Sequence, residues 1–108
     1  LTRGCSMKTQ LYKNLEKAFL VFHVSSVHEL DNLEKFVGGD VGNVNGGLVV
    51  ATPTGAVSFK VGDYVVHAAS RYGKSVPVEI DGTIHHVPQN SFMVCDAEDF
   101  TRNFKEMP

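Results

Sequence analysis

The chain has 108 residues, of which 43% are hydrophobic and 20% are charged, and its net charge is -2 with an isoelectric point near 6.2. This composition is ordinary for a soluble globular domain and excludes a chain that is disordered throughout. The ten Lys and Arg residues are scattered, which argues against nucleic-acid binding, and the longest apolar run, 18–22, is far shorter than the roughly 20 residues of a membrane span.

The two cysteines and the first six residues bear on domain organisation and compartment. Cys5 and Cys95 do not make a disulfide framework. Residues 1–6 resemble a vector remnant that precedes a start methionine, Met7, which would leave Cys95 as a lone native thiol. We therefore expect one α+β domain over 7–108 in a reducing, cytoplasmic setting.

A strand and a helix are predicted in the first third of the chain. Residues 7–15 favour either a short helical lead-in or an ordered arm, and the nearly continuous apolar run 17–24 is typical of a central strand covered on both faces. Ser26 and Glu29 have the spacing of a capping box. Apolar residues then recur at helical spacing up to Gly38, so the sequence predicts a helix that lays one stripe on the sheet.

The middle of the chain predicts a loop, a short strand and an antiparallel ribbon. Residues 40–47 are rich in Gly and Asn and favour a flexible loop or wide turn, and 48–51 form a short strand. Alternation over 55–61 and the apolar run 64–66 predict two strands joined by the turn Val61-Gly62-Asp63, at the middle of the sheet. We expect Asp63 to hydrogen-bond the backbone of that turn.

A second hairpin is predicted within 71–90. A two-residue turn at Asp81-Gly82 would place Glu79 opposite Ile84 and mix the faces, whereas a three-residue loop ending at Gly82 pairs Val78 with Ile84. The second register is preferred because it keeps apolar side chains on one face. Pro77 cannot donate to a ladder, so the hairpin is expected at an edge or projecting from the sheet.

The chain closes with a strand and a short helix. Residues 91–95 predict the last strand, Asp96 caps a helical turn, and Phe100 and Phe104 dock together. The whole order predicts an α+β fold: a small, mainly antiparallel β-sheet with one amphipathic helix packed on it, an added β-hairpin and a short C-terminal helix.

Several stretches, taken in order, resemble a group of small phage and prophage proteins. That group has an apolar strand, a helix ending in Phe-Val-Gly, a Gly-Asp-aromatic strand, and a closing Cys, acidic residue, Phe and aromatic. The matching pieces here are 18–24, 29–38, 55–66, Cys95, Glu98, Phe100 and Phe104. Ala97 replaces an expected Pro, and 71–90 is an insertion relative to the group. The resemblance implies an origin in a phage or other mobile element, a bacterial host cell and a compact α+β fold, and it implies no catalytic residues.

The histidines and Cys95 are the candidates for chemistry. His85 and His86 are adjacent in a strand and point to opposite faces, and no histidine has metal-ligand spacing, so no metal or other cofactor is expected. The alternative interpretation is a small-ligand or metal site that uses His67, His85 or His86 with Asp63. Cys95 would need a neighbouring base to react and is expected to be buried and inert. These patterns predict a non-enzymatic protein.

Protein binding is the remaining class of function. The predicted hairpin carries apolar and aromatic side chains with no obvious cover, which is typical of a partner site or a dimer interface. The candidate binding residues are Tyr72, Val76, Val78, Ile84, His85, His86 and Val87. The alternative is that the hairpin folds back on the sheet. The leading hypothesis is a small protein that binds a host protein or self-associates through 71–90, with no nucleic-acid or membrane partner.

Overall fold

Ten strands and two α-helices follow one another in the part of the chain that the structure, a computed structural model, describes: residues 9–70 and 74–107. A 3-10 turn, Val27–Glu29, precedes the first helix. The helices are α1 (Leu30–Val37) and α2 (Ala97–Asn103). The strands are β1 (Thr9–Asn14), β2 (Lys17–His23), β3 (Val41–Val44), β4 (Gly47–Thr52), β5 (Gly55–Phe59), β6 (Tyr64–His67), β7 (Ser75–Ile80), β8 (Thr83–Pro88), β9 (Phe92–Cys95) and β10 (Lys105–Glu106).

The predicted α+β class is confirmed, because the pairings of these strands are antiparallel. The strands form three sheets rather than one. The largest has the order β10-β1-β2-β6-β9, and β3-β4-β5 and β7-β8 form the others. The described chain contains no helix that is both long and apolar enough to cross a membrane. The expected vector remnant, 1–6, lies outside the described residues.

The central position of β2 is confirmed, and both of its faces are covered. Phe19 and Val21 belong to one buried cluster and Phe22 to another, since successive side chains point to opposite sides of a sheet. β1 corrects the expected helical lead-in or arm: it pairs with β2 over Thr9–Asn14 as an ordinary antiparallel strand. Sheet pairing prevails over local preference there, because β2 offers an open edge directly across a two-residue turn.

The predicted helix and its end at Gly38 are confirmed, but its start is corrected. α1 begins at Leu30 with no side-chain cap, and Ser26 caps the preceding 3-10 turn instead of forming the expected capping box with Glu29. The Ser26 Oγ accepts a hydrogen bond from the His28 backbone N–H at 3.2 Å, and the chain leaves α1 through Gly38 in the left-handed conformation, with φ of 80°. Leu33 and Val37 are buried against one face of the five-stranded sheet, in the cluster that also contains Phe22. This face also receives the β3-β4-β5 sheet.

The expected loop over 40–47 is wrong, because these residues form the β3-β4 hairpin. Asn45 and Gly46 have φ of 52° and 82°, which is the pattern of a type I′ turn, and the Asn43 Oδ1 accepts the Gly46 N–H at 3.2 Å. Asn45-Gly46, which follows Val44 and precedes the apolar run 48–51, is therefore a hairpin signal that the neighbouring glycines obscure.

The expected ribbon of β5 and β6 is also wrong, because these strands belong to different sheets. β5 pairs with β4, and β6 lies between β2 and β9. The turn between them docks on the end of β2, where Val24 and the turn exchange backbone hydrogen bonds of 2.6 and 2.9 Å. Strand alternation identifies a strand but carries no information about which neighbour it will pair with.

The C-terminal segment follows the prediction up to its last residues. The Asp96 Oδ1 accepts the Asp99 N–H at 2.8 Å, and the rings of Phe100 and Phe104 stack at 4.6 Å. Both rings lie in the buried cluster on the side of the sheet opposite α1. β9 is not the last strand, since β10 pairs with β1 after α2.

Candidate functional site

The β7-β8 hairpin has the register that the sequence analysis rejected. Val78 lies opposite His85 and Glu79 opposite Ile84, so the connection is the two-residue turn Asp81-Gly82. Both turn residues have positive φ, 51° and 86°, as a type I′ turn requires. The backbone twist of this turn matches the twist of the two paired strands. The register places the apolar Ile84 on the same face as Glu79, which the structure accommodates because Ile84 stays exposed.

The inner face of the hairpin is buried, which corrects the expectation that its apolar side chains are uncovered. Val76, Val78 and Val87 belong to the same cluster as Phe100 and Phe104. The alternative, that the hairpin folds back on the sheet, is therefore right for these three residues, and they are not available to a partner. Tyr72 lies outside the described residues.

Asn14, the last residue of β1, closes the outer edge of β7. Its Oδ1 accepts the Glu79 N–H at 2.9 Å, and its Nδ2 donates to the Glu79 carbonyl oxygen and to the Asn103 carbonyl oxygen, both at 2.9 Å. The side-chain amide thus replaces the next strand of the ladder at one residue. Only 5% of Asn14 is exposed, so these bonds are shielded from water.

A second contact fixes the turn of the hairpin to α2. Arg102 donates from Nε and Nη2 to the two carboxylate oxygens of Asp81 at 3.1 and 2.9 Å, and it also contacts Asp99. Asn103 bonds Asp81 from both sides, because its Nδ2 donates to Oδ1 and its Oδ1 accepts the Asp81 N–H. The hydrogen bonds from Arg102 and then Asn103 hold the pKa of the Asp81 carboxyl below its ordinary value. The hairpin is therefore anchored at Glu79, near the end of β7, and at Asp81 in its turn.

The outer edge of β8 is the contrasting feature. Thr83, Ile84, His85 and His86 are exposed in succession, with 44% of Ile84 accessible, and no third strand pairs with β8 among the described residues. In an antiparallel ladder, alternate residues turn their N–H and C=O groups away from the partner strand. Glu79 does so towards Asn14, so Ile84, which lies opposite it, turns its groups outward on the β8 side. His86, two residues further along β8, also turns its N–H and C=O groups outward.

The residues of the alternative ligand site do not come together. His67 stacks on Phe92 at 4.6 Å, on the α1 side of the sheet, whereas the hairpin packs on the other side. The Asp63 Oδ2 accepts the Lys60 N–H at 3.0 Å, as predicted for a carboxylate that holds its own turn. No group of three metal-binding side chains occurs within the described ranges. Of three surface depressions of about 240 to 390 Å³, one is lined by Asp63, and none of the three is lined by His67, His85 or His86.

Cys95 is buried, and the structure disfavours its thiolate. Burial raises the pKa of its thiol to about 12, and the negative charges of Asp99, Asp96 and Asp63 act in the same direction. The thiolate is the reactive form of cysteine, so the group is unsuited to nucleophilic chemistry at neutral pH. This agrees with the expectation of an inert buried thiol.

Comparison of the chain with protein-family models, curated proteins and solved structures gave no match. The resemblance to small phage proteins stays a prediction from the sequence. The residues that sequence reasoning missed are Asn14, Arg102 and Asn103, which shape the hairpin from positions 21 to 89 residues away from their partners. No local pattern marks such contacts.

Proposed function

We propose that this is a small, non-enzymatic protein of phage or mobile-element origin that acts in the bacterial cytoplasm by binding another protein chain. The binding element is the outer edge of β8. One observation carries the proposal: Asn14 occupies the edge of β7 at Glu79, while the edge of β8 is exposed and has no strand partner among residues 9–70 and 74–107. The resemblance of the sequence supports the mobile-element origin.

The physical basis is addition of a strand to an open edge. A partner strand would bond the outward N–H and C=O groups of Ile84 and His86, and its side chains would pack beside the exposed Ile84 side chain. Open edges are normally blocked by charged residues, yet β8 has no Asp, Glu, Lys or Arg. Two anchors hold this edge in place, at Glu79 and at Asp81, which lowers the entropy lost on binding.

Removal of a single outward N–H group, that of His86, tests the proposal. His86→Pro removes that donor and places a ring on the outer edge, while the bonds between β7 and β8 are kept, because the His86 N–H does not point to β7. His86→Ala is the matched control, since it removes the same imidazole and keeps the N–H. Circular dichroism and thermal unfolding verify that both variants fold.

Binding is measured in two ways: quantitative capture of proteins from bacterial lysate, confirmed with the purified partner, and sedimentation of the protein alone. We expect at least one of these associations to be retained by His86→Ala and lost by His86→Pro. If His86→Pro leaves both capture and self-association unchanged, β8 is not the binding edge and the proposal fails.

A further inference from the structure

We propose that the chain bound at the edge of β8 is β8 of a second copy, paired antiparallel about a twofold axis that passes through His85. This inference rests on the proposed function and names its partner. The product would be a four-stranded sheet with the order β7-β8-β8-β7. Ile84 of each copy would lie opposite His86 of the other, and the two His85 residues would face each other.

The register follows from the hydrogen-bonding groups that β8 has left. Only Ile84 and His86 turn both N–H and C=O outward, since the next outward residue, Pro88, has no N–H and its carbonyl oxygen accepts the Ser91 N–H at 3.0 Å. A twofold axis at Ile84 pairs Ile84 with Ile84 of the second copy and leaves His86 without a residue that can make both hydrogen bonds. An axis at His86 likewise leaves Ile84 without such a partner. An axis at His85 pairs both residues fully in both copies, so it makes the largest number of hydrogen bonds.

The side chains of β8 permit this pairing of like with like. A twofold interface brings identical residues together, so a charged edge would repel itself. β8 carries no Asp, Glu, Lys or Arg, and its exposed members are Thr83, Ile84, two histidines and Pro88. In the proposed register, Ile84 packs beside His86 of the second copy, which covers an apolar side chain that is 44% exposed in the single chain. The edge is thus chemically complementary to itself.

Disulfide trapping tests the register. In an antiparallel pair, residues opposite each other without mutual hydrogen bonds have Cα atoms about 4.5 Å apart, within reach of a disulfide. We expect His85→Cys to form a covalent dimer under mild oxidation in a Cys5→Ser background. Ile84→Cys and His86→Cys are exposed controls whose own counterparts would be about 8 Å apart, too far for the bond. Equal crosslinking of all three variants would overturn the register.

Analytical ultracentrifugation over a concentration series tests the partner. We expect wild-type protein and His86→Ala to dimerise reversibly, and His86→Pro to weaken the dimer at least roughly tenfold, because it removes one donor from each half of the symmetric pair. A wild-type protein that stays monomeric throughout, with no disulfide dimer of His85→Cys, would overturn this inference. A different protein captured in a manner sensitive to His86→Pro would then still support the proposed function.

Discussion

Replacement of Asn14 by Ala is expected to destabilise the protein and to loosen the hairpin that presents β8. The Asn14 side chain makes three hydrogen bonds of 2.9 Å, two to Glu79 and one to Asn103. Within the described residues, Asn14 is the only side chain whose hydrogen bonds join β1, β7 and the end of α2. Alanine would leave one N–H and two carbonyl groups without partners in a site that is nearly closed to water.

The size of the effect follows from these three bonds. A hydrogen bond contributes about 1 kcal/mol net, and a buried group left without a partner costs about 1 to 3 kcal/mol. We therefore expect Asn14→Ala to lower the free energy of unfolding by about 3 kcal/mol, a large share of the roughly 5 to 15 kcal/mol typical of a domain. Asn14→Asp should cost at least as much, because a carboxylate would face two carbonyl oxygens.

Urea unfolding followed by circular dichroism measures this free energy, and hydrogen exchange at the Glu79 amide reports the local loosening. Gln10→Ala is the matched control on the same strand, since Gln10 is exposed and makes one side-chain bond of 3.3 Å to Met107. It should change stability by less than about 0.5 kcal/mol. If Asn14→Ala costs less than about 1 kcal/mol and leaves Glu79 exchange unchanged, the argument that Asn14 closes the edge of β7 is refuted.

Three further predictions concern the body of the fold. Gly39→Ala should lower the free energy of unfolding in urea by more than about 3 kcal/mol, because its Cβ would lie 2.1 Å from the Ala51 carbonyl oxygen. Gly38→Ala has open space around it and should lower that free energy by only about 1 kcal/mol, for its left-handed φ. Equal losses for the two variants would contradict the predicted clash. With Cys5→Ser, Cys95 should react with a thiol reagent at pH 8 only after unfolding, because burial raises its thiol pKa to about 12, and rapid labelling of the folded protein would contradict this. Burial lowers the pKa of His67 below 6.5, so the unfolded chain binds more protons than the folded chain and stability should fall as pH drops below about 6.5. His67→Gln should reduce this dependence of the unfolding free energy on pH, measured across pH 5 to 7. An unchanged pH dependence would contradict the prediction.

The two anchors of the hairpin link the fold to the proposed function. The inner face of the hairpin contributes Val76, Val78 and Val87 to the buried cluster, so β7 and β8 are part of the core rather than an appendage. Its removal would open that cluster, and point substitutions on the outer edge are the informative variants. The same packing leaves β8 as an edge, because a hairpin that covers a sheet face cannot also join the ladder of that sheet.

The sequence by itself determined the local elements of this protein. The sequence predicted the helix that ends at Gly38, the apolar strand β2, the hydrogen bond of Asp63 to its own turn and the stacked pair Phe100 and Phe104, because each depends on neighbours within a few residues. The inert character of Cys95 was predicted too, since an apolar strand buries its inward thiol.

Only the tertiary structure decided which strands pair and which edges remain open. The separation of β5 from β6, the tight turn of the β7-β8 hairpin and the burial of Val78 depend on partners far away in sequence. Asn14 contacts Glu79 across 65 positions in the sequence, and no local pattern near either residue predicts the contact. Strand alternation fixes which side chains share a face, whereas an edge is open or closed according to what the rest of the chain lays against it.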